Sequence, residues 1–101
     1  MLTAQALVTT DAPERYAKQL LSHLGHKAAV EPIDGAPETA GRLRIGEGVG
    51  EVVPQDGVLL LTATAPDAEQ FERVKDVLGR HLERFGAKRE LVVEWVDTTG
   101  S

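Results

Sequence analysis

Three histidines stand in two basic clusters in this acidic chain. The first reads His23-Leu24-Gly25-His26-Lys27, and the second His81-Leu82-Glu83-Arg84-Phe85 with Arg89 just beyond. With 16 acidic residues against 11 basic ones and a net charge of −5, positive charge gathered at two points is the least generic feature of the chain. Two imidazoles beside an ammonium suit a carboxylate, phosphate or catecholate-like oxygen, because all three can donate to an anionic acceptor. A metal ion fits less well. Zinc or iron would need further ligands, and the Lys27 ammonium repels a cation. The same residues also fit a purely structural role, since cations at a helix C-terminus are favoured by up to about 1 kcal/mol. His81 falls at the margin of an apolar helical face, where a hydrogen bond to a strand or loop would satisfy it. Arg84 and Arg89 have Glu83, Glu90 and Glu94 close by as rim partners of small energetic worth.

These side chains must be positioned by a modest scaffold. Ala4 to Thr9 alternates as a strand, with Ala4, Ala6 and Val8 on one side. Asp11-Ala12-Pro13-Glu14 has the form of a capping box with proline in the first turn. Tyr16, Leu20 and Leu24, broadened by Ala17 and Leu21, predict an amphipathic helix that Gly25 stops. His26 and Lys27 then lie in the turn after it. Ala29 to Glu31 reads as a short strand, Pro32 to Gly41 as a loop, and Gly41 to Ile45 as a strand with Leu43 and Ile45 inward and both arginines outward. Gly46-Glu47-Gly48 and Gln55-Asp56-Gly57 are turns around a strand at 49–53, and Asp-Gly between strand-like runs is a hairpin signal. Val58 to Ala65 is apolar enough for a central strand. Asp67 and Gln70 cap a second helix carrying Phe71, Val74, Leu78, Leu82 and Phe85, roughly 30 Å long. Leu91 to Trp95 is expected to be the last strand, with Leu91, Val93 and Trp95 on one face.

The order βαββββαβ predicts an α+β two-layer sandwich, one mostly antiparallel sheet with both helices on one face. Residues 1–97 form a single domain in this reading, and 98–101 a disordered tail. Four strands between the helices make the helices antiparallel. His23 and His81 then sit towards opposite ends of the helix layer, about 20 Å apart given the helix rise; without a strand at Ala29 to Glu31 the helices become parallel and both clusters share one edge. Arg42 and Arg44 then stand on an open sheet face or in a dimer contact.

Composition excludes several classes. The chain has 101 residues and no cysteine, so it has neither a disulfide framework nor a thiol nucleophile. No apolar run approaches the roughly 18 residues of a membrane span. The start lacks a secretory signal, which makes the cytoplasm the expected address. Net negative charge argues against nucleic acid and against anionic membranes as partners. No Gly-x-Ser-x-Gly, His-Glu-x-x-His, phosphate-binding loop or paired-carboxylate motif is present, so an enzyme is less expected than a binding protein. No cofactor or metal is expected.

Thr10-Asp11, Tyr16, Leu20, the His-x-x-His-Lys of 23–27, Gly41-Arg42, His81-Leu82-x-Arg84-Phe85, Arg89-Glu90 and Glu94-Trp95 together resemble the bacterial family catalogued as domain of unknown function 2218. The resemblance runs from about Ala4 to Trp95. It implies a small bacterial cytoplasmic protein with a TATA-binding-protein-like fold. It also implies a link to iron acquisition, because this domain resembles one appended to siderophore-interacting flavin reductases. No catalytic role comes with it. The expected function is a non-enzymatic module for a small anionic ligand, with contacts from His23, His26, Lys27, His81, Arg84 and Arg89. A siderophore-interacting reductase is the expected partner. The alternative is a homodimeric interaction protein in which these residues are caps and interface pairs.

Overall fold

The computed structural model describes residues 1–26, 28–85 and 91–98. Its elements are β1 (Leu2–Thr9), α1 (Pro13–Leu24), β2 (Val30–Glu31), β3 (Gly41–Ile45), β4 (Gly48–Gln55), β5 (Val58–Ala65), α2 (Ala68–Phe85) and β6 (Val96–Asp97). They form the expected α+β architecture. The six strands make one antiparallel sheet in the order β2-β3-β4-β5-β1-β6, and both outer strands are only two residues long.

Period-2 alternation sends Ala4, Ala6 and Val8, Leu43 and Ile45, Val52, and Leu59, Leu61 and Ala63 into the core. There they meet Tyr16, Ala17, Leu20, Leu21 and Leu24 of α1 and Phe71, Val74, Leu78 and Leu82 of α2. The β4–β5 hairpin closes at Asp56-Gly57, where Gly57 takes a φ of 74° that favours glycine. Glycines also set how closely α2 approaches the sheet. A Cβ at Gly48 would overlap Val74 Cγ2, and one at Gly50 would lie 3.0 Å from Leu78 Cδ1. Val74 and Leu78, one helical turn apart, therefore rest on two successive inward positions of β4 that carry no side chain.

The helix ends follow local chemistry, with one correction. Asp67 Oδ1 accepts from the Gln70 N–H at 2.9 Å, as a capping aspartate should. Gln70 turns the other way and accepts from the Glu47 N–H at 3.2 Å, tying the start of α2 to the β3–β4 turn. Gly25 follows the last residue of α1, as expected. At the start of α1, however, the cap is Ala12, not Asp11, and it makes no side-chain cap bond. Thr10, nearly buried, accepts instead from the Ala12 N–H at 3.1 Å and holds the entry to the helix.

The last strand is also displaced from expectation. β6 is Val96–Asp97, paired to β1 through Gln5 and Ala4, and Thr98 continues it by donating to the Thr3 carbonyl at 2.8 Å. Thr98 was expected in the tail; residues 99–101 lie outside the described residues. Leu91, Val93 and Trp95 do share a half-buried face against the core, but among the described residues this segment pairs with no strand. Gly79 opens the room: a Cβ there would lie 3.4 Å from Trp95 Nε1 and 3.6 Å from Val93 Cγ1. Glu83 Oε2 accepts from the Val93 N–H at 3.0 Å and fixes the segment to the helix.

Among the described residues, no element covers the sheet face opposite the helices. Leu7, Leu60 and Val53 stand side by side across β1, β5 and β4, and Leu7 is 64% exposed. The next row on that face contains Arg42, whose guanidinium pairs with Glu51 at 2.7 Å. Among the described residues, no helix is long and apolar enough to cross a membrane.

Candidate functional site

One histidine from each cluster meets the other. The rings of His23 and His81 lie 4.9 Å apart between centroids, tilted by 44°, and Phe85 sets its edge on His23 at 5.4 Å. This overturns the expected separation of about 20 Å. Strand parity gives the helix directions but not their offset along the axis. α1 has 12 residues and α2 has 18, so α2 is longer by roughly 9 Å. Its first turns are pinned to the β3–β4 turn by Gln70, and the last turn of α1 arrives beside Val77, His81 and Phe85. The start of α2 thus overhangs the end of α1, and the histidine near each C-terminus reaches the other.

A cleft of about 270 Å³ opens beside this contact, between the end of α1, the middle of α2 and the end of β3. His23, His81, Arg44 and Arg73 border it, with Leu24, Ala28, Leu43, Ile45 and Val77 forming its apolar wall. Among the described residues that line it, none is acidic. His81 is half-buried, and its Nδ1 lies 2.6 Å from the Val77 carbonyl oxygen. A carbonyl only accepts, so Nδ1 carries the proton and Nε2 is left for another partner. Neutral His81 offers Nε2 as an acceptor; the protonated ring offers an N–H donor. His23 is exposed on the last turn of α1 and shows its ring to the same cleft.

Arg73 is placed by the β3–β4 turn. Gly46 has a φ of 63°, and a Cβ there would lie 3.4 Å from Arg73 Nη1. The guanidinium therefore stands beside a turn that itself borders the cleft. Arg44 borders it from β3 beyond the reach of β2, whose pairing stops at Leu43. Arg42, Lys75 and Arg80 each form an ion pair, with Glu51, Glu72 and Asp76; among the described residues Arg44 and Arg73 form none. The cleft thus gathers two imidazoles and the Arg73 guanidinium on an otherwise negative molecule, while Arg44, alternating with inward Leu43 and Ile45, borders it from the outward face of β3.

The expected contact residues divide accordingly. His23 and His81 come together. His26 is exposed in the turn after α1, where its N–H donates to the His23 carbonyl at 3.4 Å, and it does not line the cleft. A helix continuing through Gly25, which two-histidine metal ligation would require, does not form. Arg84 is exposed in the last turn of α2 and also stands off the cleft. Lys27 and Arg89 lie outside the described residues. Its expected rim partner Glu83 is engaged instead by the Val93 N–H.

Sequence reasoning missed Arg73 altogether. It sits eight residues before His81 on α2, close to two helical turns, which brings both to one side of the helix. That spacing was the available signal. Arg44 reads from the sequence as outward, on an open sheet face or in a dimer contact, and it does alternate outward with Arg42; that it also borders the cleft has no signal in the sequence.

The sequence family described as "uncharacterized protein conserved in bacteria" (DUF2218) matches residues 5–96. No curated protein matches the chain. Among solved structures, the NMR structure of PA4090 from Pseudomonas aeruginosa is similar in fold, with a TM-score of 0.75 and 25% identity over 95% of this chain and 96% of that one.

Proposed function

The chain belongs to the DUF2218 family of uncharacterised bacterial proteins, and for this member we propose that the cleft between α1, α2 and β3 binds a small anion without transforming it. One observation carries the reading: a hollow with no acid among its described lining residues and His23, His81 and Arg73 at its border, on a chain with net charge −5. Guanidinium and imidazolium donors give charge-assisted hydrogen bonds to carboxylate or phosphate, roughly twice as strong as neutral ones. Arg73 supplies the fork, and Nε2 of His81 a second donor when protonated. His26, Lys27, Arg84 and Arg89 are not needed by this reading.

The test is thermal unfolding in chloride against rising acetate, phosphate and ferric catecholate. The catecholate belongs in the panel because the sequence resembles the domain appended to siderophore-interacting reductases. A specific ligand gives a gain that rises with the logarithm of its concentration above Kd, about 2.7 kcal/mol at a hundred times its Kd, whereas general salt exclusion grows in proportion to salt. Arg73→Ala should abolish the logarithmic part and leave the rest. No logarithmic gain with any anion would refute the proposal.

The ring contacts favour a second reading. His23, His81 and Phe85 pack the two helices together, and that role needs no ligand. Loss of stability in His23→Ala and His81→Ala with no anion response would select it. Light scattering on the same samples tests the homodimer expected under that reading.

A further inference from the structure

Resting on the anion reading and narrowing it, we infer that the cleft takes a monocarboxylate bearing one aromatic ring, with the carboxylate on Arg73 and the ring against Val77, Ile45 and the two imidazoles. Size sets the first limit. A dry cavity of about 150 Å³ suffices for benzene, so about 270 Å³ holds one ring and a short charged arm but not a second ring. The volume falls just below the usual range for drug-sized ligands, which points to a fragment-sized occupant.

The lining sets the second limit. Leu24, Ala28, Leu43, Ile45 and Val77 outnumber the charged residues at the border. A free phosphate would use the rim alone and leave this wall in contact with water. An occupant with an apolar body covers the wall and keeps its charge at the guanidinium. The imidazoles set the third. His23 already packs against two rings at 4.9 and 5.4 Å, centroid distances at which aromatic pairs attract. A ligand ring in the cleft extends that stack on the side away from Phe85. Nε2 of His81 remains available because Nδ1 is held by Val77.

Calorimetry on the full chain with benzoate, acetate, benzyl alcohol and inorganic phosphate separates the terms. Burying one ring is worth a factor of roughly 10 to 100. Benzoate should therefore bind at least about tenfold tighter than acetate and phosphate, and also tighter than uncharged benzyl alcohol. Val77→Asn should lower the benzoate-to-acetate affinity ratio by at least about tenfold. Ring-proton NMR shifts of His23 and His81 in the unmodified protein should move further with benzoate than with acetate, because only benzoate brings a ring current, and this needs no variant to fold. Equal affinity for benzoate, acetate and phosphate, or a benzoate-to-acetate ratio unchanged by Val77→Asn, overturns the aromatic inference while the anion reading stands. Equal affinity for benzoate and benzyl alcohol overturns the assignment of the carboxylate to Arg73. No binding of any of the four removes both.

Discussion

Replacing Gly48 by alanine drives a methyl group into Val74 Cγ2 and to 3.0 Å from the Thr64 carbonyl oxygen. Val74 is fully buried and β-branched in a helix, where one χ1 rotamer dominates, so it cannot swing aside. The Thr64 carbonyl belongs to the β5 ladder and is no freer. Relief requires lifting α2 off β4. Overpacking of this kind costs about 1–3 kcal/mol, which for a domain near 100 residues lowers Tm by roughly 4–15 °C. The same substitution at Gly79 should act the other way. Its Cβ would meet Trp95 Nε1 at 3.4 Å and Val93 Cγ1 at 3.6 Å, ordinary contacts, and alanine gains up to about 1 kcal/mol over glycine inside a helix. Urea unfolding followed by Trp95 fluorescence and thermal melts followed by circular dichroism would measure both. In a Val74→Ala background the Gly48→Ala cost should shrink by at least about 1 kcal/mol, because the overlapping methyl is gone. An unchanged Tm for Gly48→Ala, or a lower one for Gly79→Ala, would refute the account of how α2 seats on the sheet.

A double-mutant cycle on His23→Ala and His81→Ala should give a coupling of about 0.5–1.5 kcal/mol by urea denaturation, as adjoining rings do; a value near zero would show that the contact is energetically empty. Thr10→Val removes the acceptor for the Ala12 N–H and should cost about 1 kcal/mol in the same assay, like the loss of a helix cap. The Arg42–Glu51 pair, with side chains 48% and 27% exposed, should show a coupling under about 1 kcal/mol that fades in high salt. A coupling that persists in 1 M salt would mean the pair is more sheltered than its exposure indicates.

What could be read in the sequence was local. The Asp56-Gly57 hairpin was legible because its geometry demands a positive φ that glycine supplies. The second helix was legible because Phe71, Val74, Leu78 and Leu82 recur at one turn. The starting cap was misread since Asp11 and Glu14 match a pattern, while the bond actually made runs from Ala12 to Thr10, two residues apart with no helical spacing. The last strand was placed too early because Leu91, Val93 and Trp95 alternate as a strand does; a segment resting against a helix with one face inward shows the same alternation. The site itself depended on a quantity with no local signature. How far α2 slides past α1 is decided by glycines on β4 and by Gln70 reaching the β3–β4 turn, residues distant in sequence from either histidine. For the same reason Arg73 stayed hidden until the turn at Gly46 was seen beside it.

The two-residue borders of the sheet have a bearing on how the molecule behaves in a crowded solution. Exposed backbone along a long margin invites another chain to zip on and begin a fibril, and natural folds commonly shorten such margins to prevent it. Here the outermost strands, β2 and β6, each offer only two residues of ladder to a newcomer, too little by themselves to nucleate continuous growth. Self-association, where it occurs, is steered towards the broad uncovered surface around Leu7 and Leu60. A contact there leaves the histidine hollow on the opposite side of the sheet open to its solute.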